Sequence, residues 1–242
     1  MFGNDLWVKH QTSLAMLAHR ADVIGGKKVI AVDAMNFLFY LAGLKNSRGV
    51  ERELREFYGA LTQAGLEGLF IFDSAELSAE RKRKAGVRKA QRKDAVRRLR
   101  NTEQMGAFER ADKARKLEVL RTRTICVTPD EVLSARRFIE GCKGCALLEC
   151  SDEADSECAA AVKDGRAGWC LSNDSDMFVE GCSSVLRMYD PATGCLDEWN
   201  TVRILNSLSL NAAQFAEMVR PSGGRRMGHT ELFTLLSMAM HE

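Results

Sequence analysis

Apolar residues in this chain gather in short continuous runs: Val29-Ile30-Ala31-Val32 ends at Asp33, Leu69-Phe70-Ile71-Phe72 ends at Asp73, and Trp169-Cys170-Leu171 leads into Ser172-Asn173-Asp174-Ser175-Asp176. Runs this short, without polar alternation, predict strands buried on both faces, as in a parallel sheet covered by helices on either side. Ala146-Leu147-Leu148 and Val185-Leu186 are weaker strand candidates. Helices are predicted between them. Residues 51–63 carry Leu54, Phe57, Tyr58 and Leu61 at helical spacing, residues 130–140 follow the helix start Thr128-Pro129-Asp130, and the alanine-rich residues 153–164 stop at Gly165. The pattern predicts an α/β domain whose central sheet is parallel. In such sheets ligands bind beyond the carboxyl ends of the strands, where these aspartates fall.

One stretch does not follow this pattern. Residues 78–120 contain no proline and few regularly spaced apolar positions, too few to bury a helix face. They are expected to project from the domain, or to break near Gly86 and Gly106 into two solvated helices. Pro221-Ser222-Gly223-Gly224-Arg225-Arg226 is a turn-rich break, with a short apolar helix predicted from Leu232 to Met240. Internal repeats and low-complexity linkers are absent from the sequence.

Charge sharpens this division. Residues 81–123 hold 17 Lys/Arg against 5 Asp/Glu, a net of +12, which leaves −10 on the rest of a chain whose total is only +2. The basic run includes Arg81, Lys82, Arg83, Lys84, Arg88, Lys89, Arg92, Lys93, Arg97, Arg98 and Arg100. A solvated helix face and a nuclear-import signal are its plainer readings, but too few acids alternate with these bases to form a self-paired helix. Phosphate contact is the favoured expectation.

The bulk composition is compatible with this picture. The 242 residues, 45% hydrophobic, suit one large α/β domain or one domain with an insertion. The N-terminus lacks the pattern of a signal peptide, and no run approaches the roughly 18 apolar residues of a membrane span. A soluble intracellular protein, nuclear or cytoplasmic, is expected, with no membrane partner. Among eight cysteines, Cys142-Lys143-Gly144-Cys145 has metal-like spacing. It lacks a second pair or a nearby histidine in sequence, so it is read as small hydrophobes in a turn. Reduced thiols are expected throughout.

An aspartate after a strand is commonly the cap of the next helix. The set of acids points further. Asp33, Asp73, Glu153, Asp155, Asp174 and Asp176 all fall at predicted strand ends or helix starts, which in a parallel sheet places them on one edge. Six carboxylates gathered there repel one another unless Mg²⁺ or Mn²⁺ is bound. Two such ions can activate a water and stabilise a leaving oxygen in phosphodiester hydrolysis. Within Ser151-Asp152-Glu153-Ala154-Asp155-Ser156-Glu157, helical spacing leaves the ligand choice open: Glu153 with Glu157, or Asp152 with Asp155, would share a face.

These segments resemble the flap endonuclease/XPG family of structure-specific nucleases. Gly3-Asn4-Asp5-Leu6-Trp7 is similar to the family's N-terminal opening, displaced by Phe2. Val29 to Ala34 resembles its first Asp motif and Phe70 to Asp73 its second. Glu153-Ala154-Asp155-Ser156-Glu157-Cys158-Ala159-Ala160 resembles its Glu-Ala-Glu-Ala-x-Cys-Ala signature, with Asp155 replacing the second Glu, and Asp174-Ser175-Asp176 its later Asp-x-Asp motif. The likeness runs in order over roughly residues 1–220. It implies a PIN-like nuclease domain over that span, with an inserted basic helical arch at about 76–123. It also implies Glu153 and Asp155 as ligands. Asp33, Asp73, Glu153 and Asp155 would then hold a first ion and Asp174 and Asp176 a second, while Arg88, Lys89, Arg92 and Lys93 would steer the scissile phosphate. Flapped or branched DNA is the implied substrate, in replication or repair. RNA cleavage of the viral host-shutoff type, or a nuclease-derived binding subunit, are the rivals.

The departures lie near the C-terminus. Phe215-Ala216-Glu217 matches a family helix, but Arg225 stands near the position of a further metal-site Asp. A cation there is expected to weaken or reposition the second ion, with Asp190 or Glu217 as possible substitutes. Residues 221–242 read as a short divergent element, a remnant of the family's duplex-binding helices, and no sliding-clamp peptide is found.

Overall fold

The computed structural model describes residues 9–44, 47–74, 86–87, 90–98, 124–151 and 153–220. Strands β1 (Lys9–Ser13), β2 (Val29–Asp33), β3 (Glu67–Phe72), β4 (Cys145–Glu149), β5 (Trp169–Leu171), β6 (Ser184–Asp190) and β7 (Cys195–Asn200) form one sheet in the order β1-β7-β6-β5-β2-β3-β4. The centre, β4-β3-β2-β5-β6, is parallel, as the apolar runs predict. Two strands extend it in the opposite sense. β7 pairs antiparallel with β6 and β1 pairs antiparallel with β7, giving a mixed sheet. Both are missing from the sequence-based expectation because their polar residues hide them: KHQTS has no apolar residue, and CLDEWN carries Glu198, buried yet acidic.

The central runs are continuous because each strand feeds two cores. Ile30, Val32, Phe70, Phe72, Trp169 and Leu171 pack on one face with α1 (Leu14–Ile24), α2 (Ala34–Gly43), α3 (Val50–Ala64) and α4 (Pro129–Glu140). Ala31, Ile71 and Cys170 point to the other face, under α5 (Ala154–Lys163), α6 (Asp176–Val179), α7 (Thr201–Ser207) and α8 (Ala212–Val219). Alternate side chains of a strand point to opposite faces, so burial on both demands an unbroken apolar sequence.

Helix boundaries follow their local chemistry. Thr128 and Glu131 form a reciprocal capping box at the start of α4, with Pro129 in its first turn. α5 ends before Gly165, whose φ of +72° is a conformation that favours glycine. The eight cysteines are free thiols; Cys158, Cys170 and Cys182 are packed in the second core, and Cys142 and Cys145 flank the turn from α4 into β4. Within the basic segment a helix spans 90–98, with Ala95 buried. No described helix is long and apolar enough to cross a membrane.

Candidate metal centre

The parallel register determines which side chains meet. Val32 lies opposite both Phe70 and Leu171, so Asp33, Asp73 and Ser172 all emerge at the carboxyl edge of neighbouring strands. Asp33 is 4% exposed. Its Oδ1 caps α2 by accepting the Asn36 N–H at 3.1 Å, and its Oδ2 accepts the Ser172 hydroxyl at 3.0 Å. The capping reading and the site reading of this residue therefore both hold.

Asp73 works across the sheet. Its Oδ1 accepts the Ala154 N–H at 3.0 Å, which satisfies an otherwise orphaned donor at the start of α5. Glu153, at the N-cap position of α5, makes no side-chain cap of its own. Because Asp73 holds the first turn, Asp155 projects toward the loop after β5. There, carboxylate oxygens of Asp155, Asp174 and Asp176 all lie within 4.8 Å of one another.

The loop from Ser172 to Asp176 is held from several sides. The Asp174 N–H donates to Ser172 Oγ at 3.1 Å, and the Asp176 N–H to Asp174 Oδ1 at 3.0 Å. Asn36 Oδ1 accepts the Asn173 N–H at 2.9 Å. From behind, the buried Arg187 guanidinium donates to the carbonyls of Asn173 and Asp174 and lies against the Phe178 ring. Burial lowers the Arg187 pKa to about 10, partly offset by Asp174 and Asp197, so it remains a cation at neutral pH.

Like charge is written into the titration of the site. Burial, then the charges of Asp73 and Asp174, push Asp33 up to about 6 against the hydrogen bonds from Asn36 and Ser172. Burial, then Asp33, Asp174, Glu153 and Asp176, push Asp155 up to about 7. Each of the six carboxylates singled out from the sequence thus feels, or is felt by, another member of the group. Hard oxygen donors, mutual repulsion and separations under 4.8 Å within the trio suit a divalent cation.

Other sequence candidates fall elsewhere. Glu157 pairs with Arg166 at 2.8 Å, away from the trio. Asp190 accepts from the Ala192 N–H and the Thr193 hydroxyl within the β6–β7 turn, and Glu217 is exposed on α8. Arg92 donates to the Cys126 sulfur at 2.7 Å, and Lys93 is exposed. Asp152, Arg88, Lys89, Arg225, the 3–7 motif and the predicted 232–240 helix lie outside the described residues. Ser172, Arg187 and Arg220 were absent from the sequence-based set. Arg220 caps α8 and sits 3.2 Å from Asp176.

A mixed α/β sheet with a carboxylate cluster at the carboxyl edge of its parallel strands defines a PIN-like fold. The XPG I-region family model matches residues 144–224, which span β4, α5, the Asp174–Asp176 loop and α8. The chain is 28% identical over 161 residues to flap endonuclease 1-A of Sorghum bicolor, covering 65% of this chain and 40% of that relative. It spans under half that relative's length. Among solved structures it is similar to flap endonuclease-1 from Methanococcus jannaschii, with TM-score 0.56 and 16% identity over 98% of this chain and 77% of that one. It is also similar to the Holliday junction-resolving enzyme GEN1 in complex with product DNA and Mg²⁺, with TM-score 0.57 and 17% identity over 95% and 47%. The chain thus carries an XPG I-region match over residues 144–224 and is similar to flap endonucleases in sequence and to PIN-like nucleases in fold.

Proposed function

We propose that this chain is a divalent-metal-dependent nuclease that hydrolyses phosphodiester bonds, with flapped or branched DNA as its substrate class. The observation that carries this reading is the Asp155, Asp174 and Asp176 trio beside the buried Asp33. Asp33, Asp73, Glu153 and Asp155 would hold one Mg²⁺ or Mn²⁺, and Asp174 and Asp176 a second. Such ions supply Lewis acidity and lower the pKa of water.

The chain's own residues supply the order. Asp73 fixes the start of α5 and so the approach of Asp155, while Ser172 ties Asp33 to the Asp174 backbone. Arg187 holds the Asp174 loop through the carbonyls of Asn173 and Asp174. The basic segment, including Arg88, Lys89, Arg92 and Lys93, would neutralise phosphate charge beside the scissile bond. The complexes of neighbouring proteins with DNA support a nucleic-acid partner.

The test is cleavage of end-labelled flap DNA, duplex DNA and single-stranded RNA by the purified chain in Mg²⁺, Mn²⁺ or chelator. Metal-dependent cleavage of the flap, lost in Asp174→Asn, is the expected result. Preference for RNA would move the substrate to the runner-up class. Inactivity on every substrate by a folded protein would overturn the enzymatic reading in favour of a binding subunit.

A further inference from the structure

Arg220 brings a cation to the edge of the carboxylate cluster. One guanidinium nitrogen lies 3.2 Å from Asp176 Oδ2, and another donates to Glu180 Oε1 at 2.7 Å. Glu180 is itself held by the Ser156 hydroxyl, which donates to its Oε2 at 3.1 Å. Ser156 directly follows Asp155 on α5. The guanidinium is therefore positioned by the same helix that carries one carboxylate of the trio, and it touches another. Its Nε is buried without a hydrogen-bond partner among the described residues, so the two carboxylates orient the group. The buried Val219 and Phe215 anchor α8 beneath it.

Such a cation has two consequences for a divalent ion at Asp174 and Asp176. It occupies an Asp176 oxygen that the ion would use, and it repels the ion's charge. Even at the dielectric of water, a unit charge about 5 Å from a divalent ion costs about tenfold in affinity. Arg187, the other guanidinium here, lies behind the loop and spends its donors on backbone carbonyls. It supports the loop through those carbonyls.

We propose that Arg220 is a built-in competitor for Asp176, so that the chain holds one divalent ion tightly on the Asp33 and Asp155 side and a second only weakly at Asp174 and Asp176. Arg220 is a positioning and charge-setting residue rather than a catalytic one, and Glu180 sets how much of its charge reaches Asp176. The assignment rests on the metal-dependent reading above.

The experiment is Mn²⁺ binding to the whole chain without nucleic acid, by titration calorimetry and the paramagnetic resonance of free Mn²⁺. Wild type, Arg220→Gln, Arg220→Lys and Glu180→Gln are compared, with circular dichroism melts on each. The wild type should show a tight and a weaker class of site. Arg220→Gln should tighten the weaker class by about tenfold, while Arg220→Lys, which keeps the charge, stays near wild type. Glu180→Gln, which leaves Arg220 to Asp176 alone, should weaken it further. Opposite signs separate this mechanism from damage to the fold, which would weaken binding in every variant. An unchanged or weaker second class in a folded Arg220→Gln, or an unchanged one in Glu180→Gln, overturns the proposal while leaving the metal-dependent reading intact. Absence of any Mn²⁺ binding by wild type overturns both.

Discussion

The hydroxyl of Ser172 donates to Asp33 Oδ2 at 3.0 Å while its oxygen accepts the Asp174 N–H at 3.1 Å. One side chain thereby joins the carboxylate at the end of β2 to the loop after β5. The pairing of Val32 with Leu171 makes this possible, because it brings the next residues of both strands out side by side.

Ser172→Ala removes that link without adding bulk. Residues that orient metal ligands typically contribute 10–100-fold to metal affinity, so a loss of about 10–100-fold in Mn²⁺ affinity and in cleavage is expected. Titration calorimetry beside single-turnover cleavage checks it. Unaltered metal binding would show that Asp33 and Asp174 are held well enough by Asn36 and Arg187.

Asp174→Asn should abolish metal-dependent cleavage and at the same time leave the metal-free fold as stable as wild type, or more stable. The reason is that Asp174 raises the cost of ionising both Asp33 and Asp155. Thermal melts in chelator, run beside the cleavage assay, report the two effects separately. A large fall in the melting temperature would mean that the carboxylate is needed for folding.

The pH dependence of stability follows from the same charges. Asp33 and Asp155 are raised from 3.8 to about 6 and about 7, so the native state binds their protons more readily than the unfolded chain. Their contribution is fully present below about 3.8 and is lost as pH rises through about 6 to 7. The metal-free protein should therefore lose melting temperature between pH 5 and 8, and Mn²⁺ should restore more of it at pH 8 than at pH 5. Asp155→Asn should flatten the metal-free slope. A wild-type slope that is flat, or unchanged in that variant, would contradict these shifts.

Changing Arg88, Lys89, Arg92 and Lys93 together to Ala tests the basic segment. Every phosphate that one of these bases neutralises should add about 0.9 to the magnitude of the log-affinity against log-salt slope on duplex DNA, and about 0.7 on single strands. The variant should bind more weakly, with a slope shallower by that amount for each such phosphate. Fluorescence anisotropy across a salt series measures it. An unchanged slope would assign the bases to a solvated face or an import signal.

The central strands and the limits of α3, α4 and α5 were legible in the chain itself. A run such as Val29 to Val32 must be covered on both faces, Thr128-Pro129-Asp130 must open a helix, and an aspartate closing each buried strand must reach a common edge. These are properties of nearest neighbours and periodicity. The antiparallel strands β1 and β7 were not legible, because their residues are polar and their partners lie far away in sequence: Glu198 is buried only because Arg20, Trp169 and Ser184 surround it. The same holds at the site. Local spacing could not separate Asp155 from Glu157, since the choice depends on Asp73 capping α5 from 81 residues away and on Arg166 drawing Glu157 aside. Nor could it mark Arg220, an ordinary cation at a helix end until the fold sets it 3.2 Å from Asp176. Sequence alone determined which residue types could gather at the sheet edge. Tertiary packing decided which of them meet, because register and long-range hydrogen bonds set the distances on which charge and coordination depend.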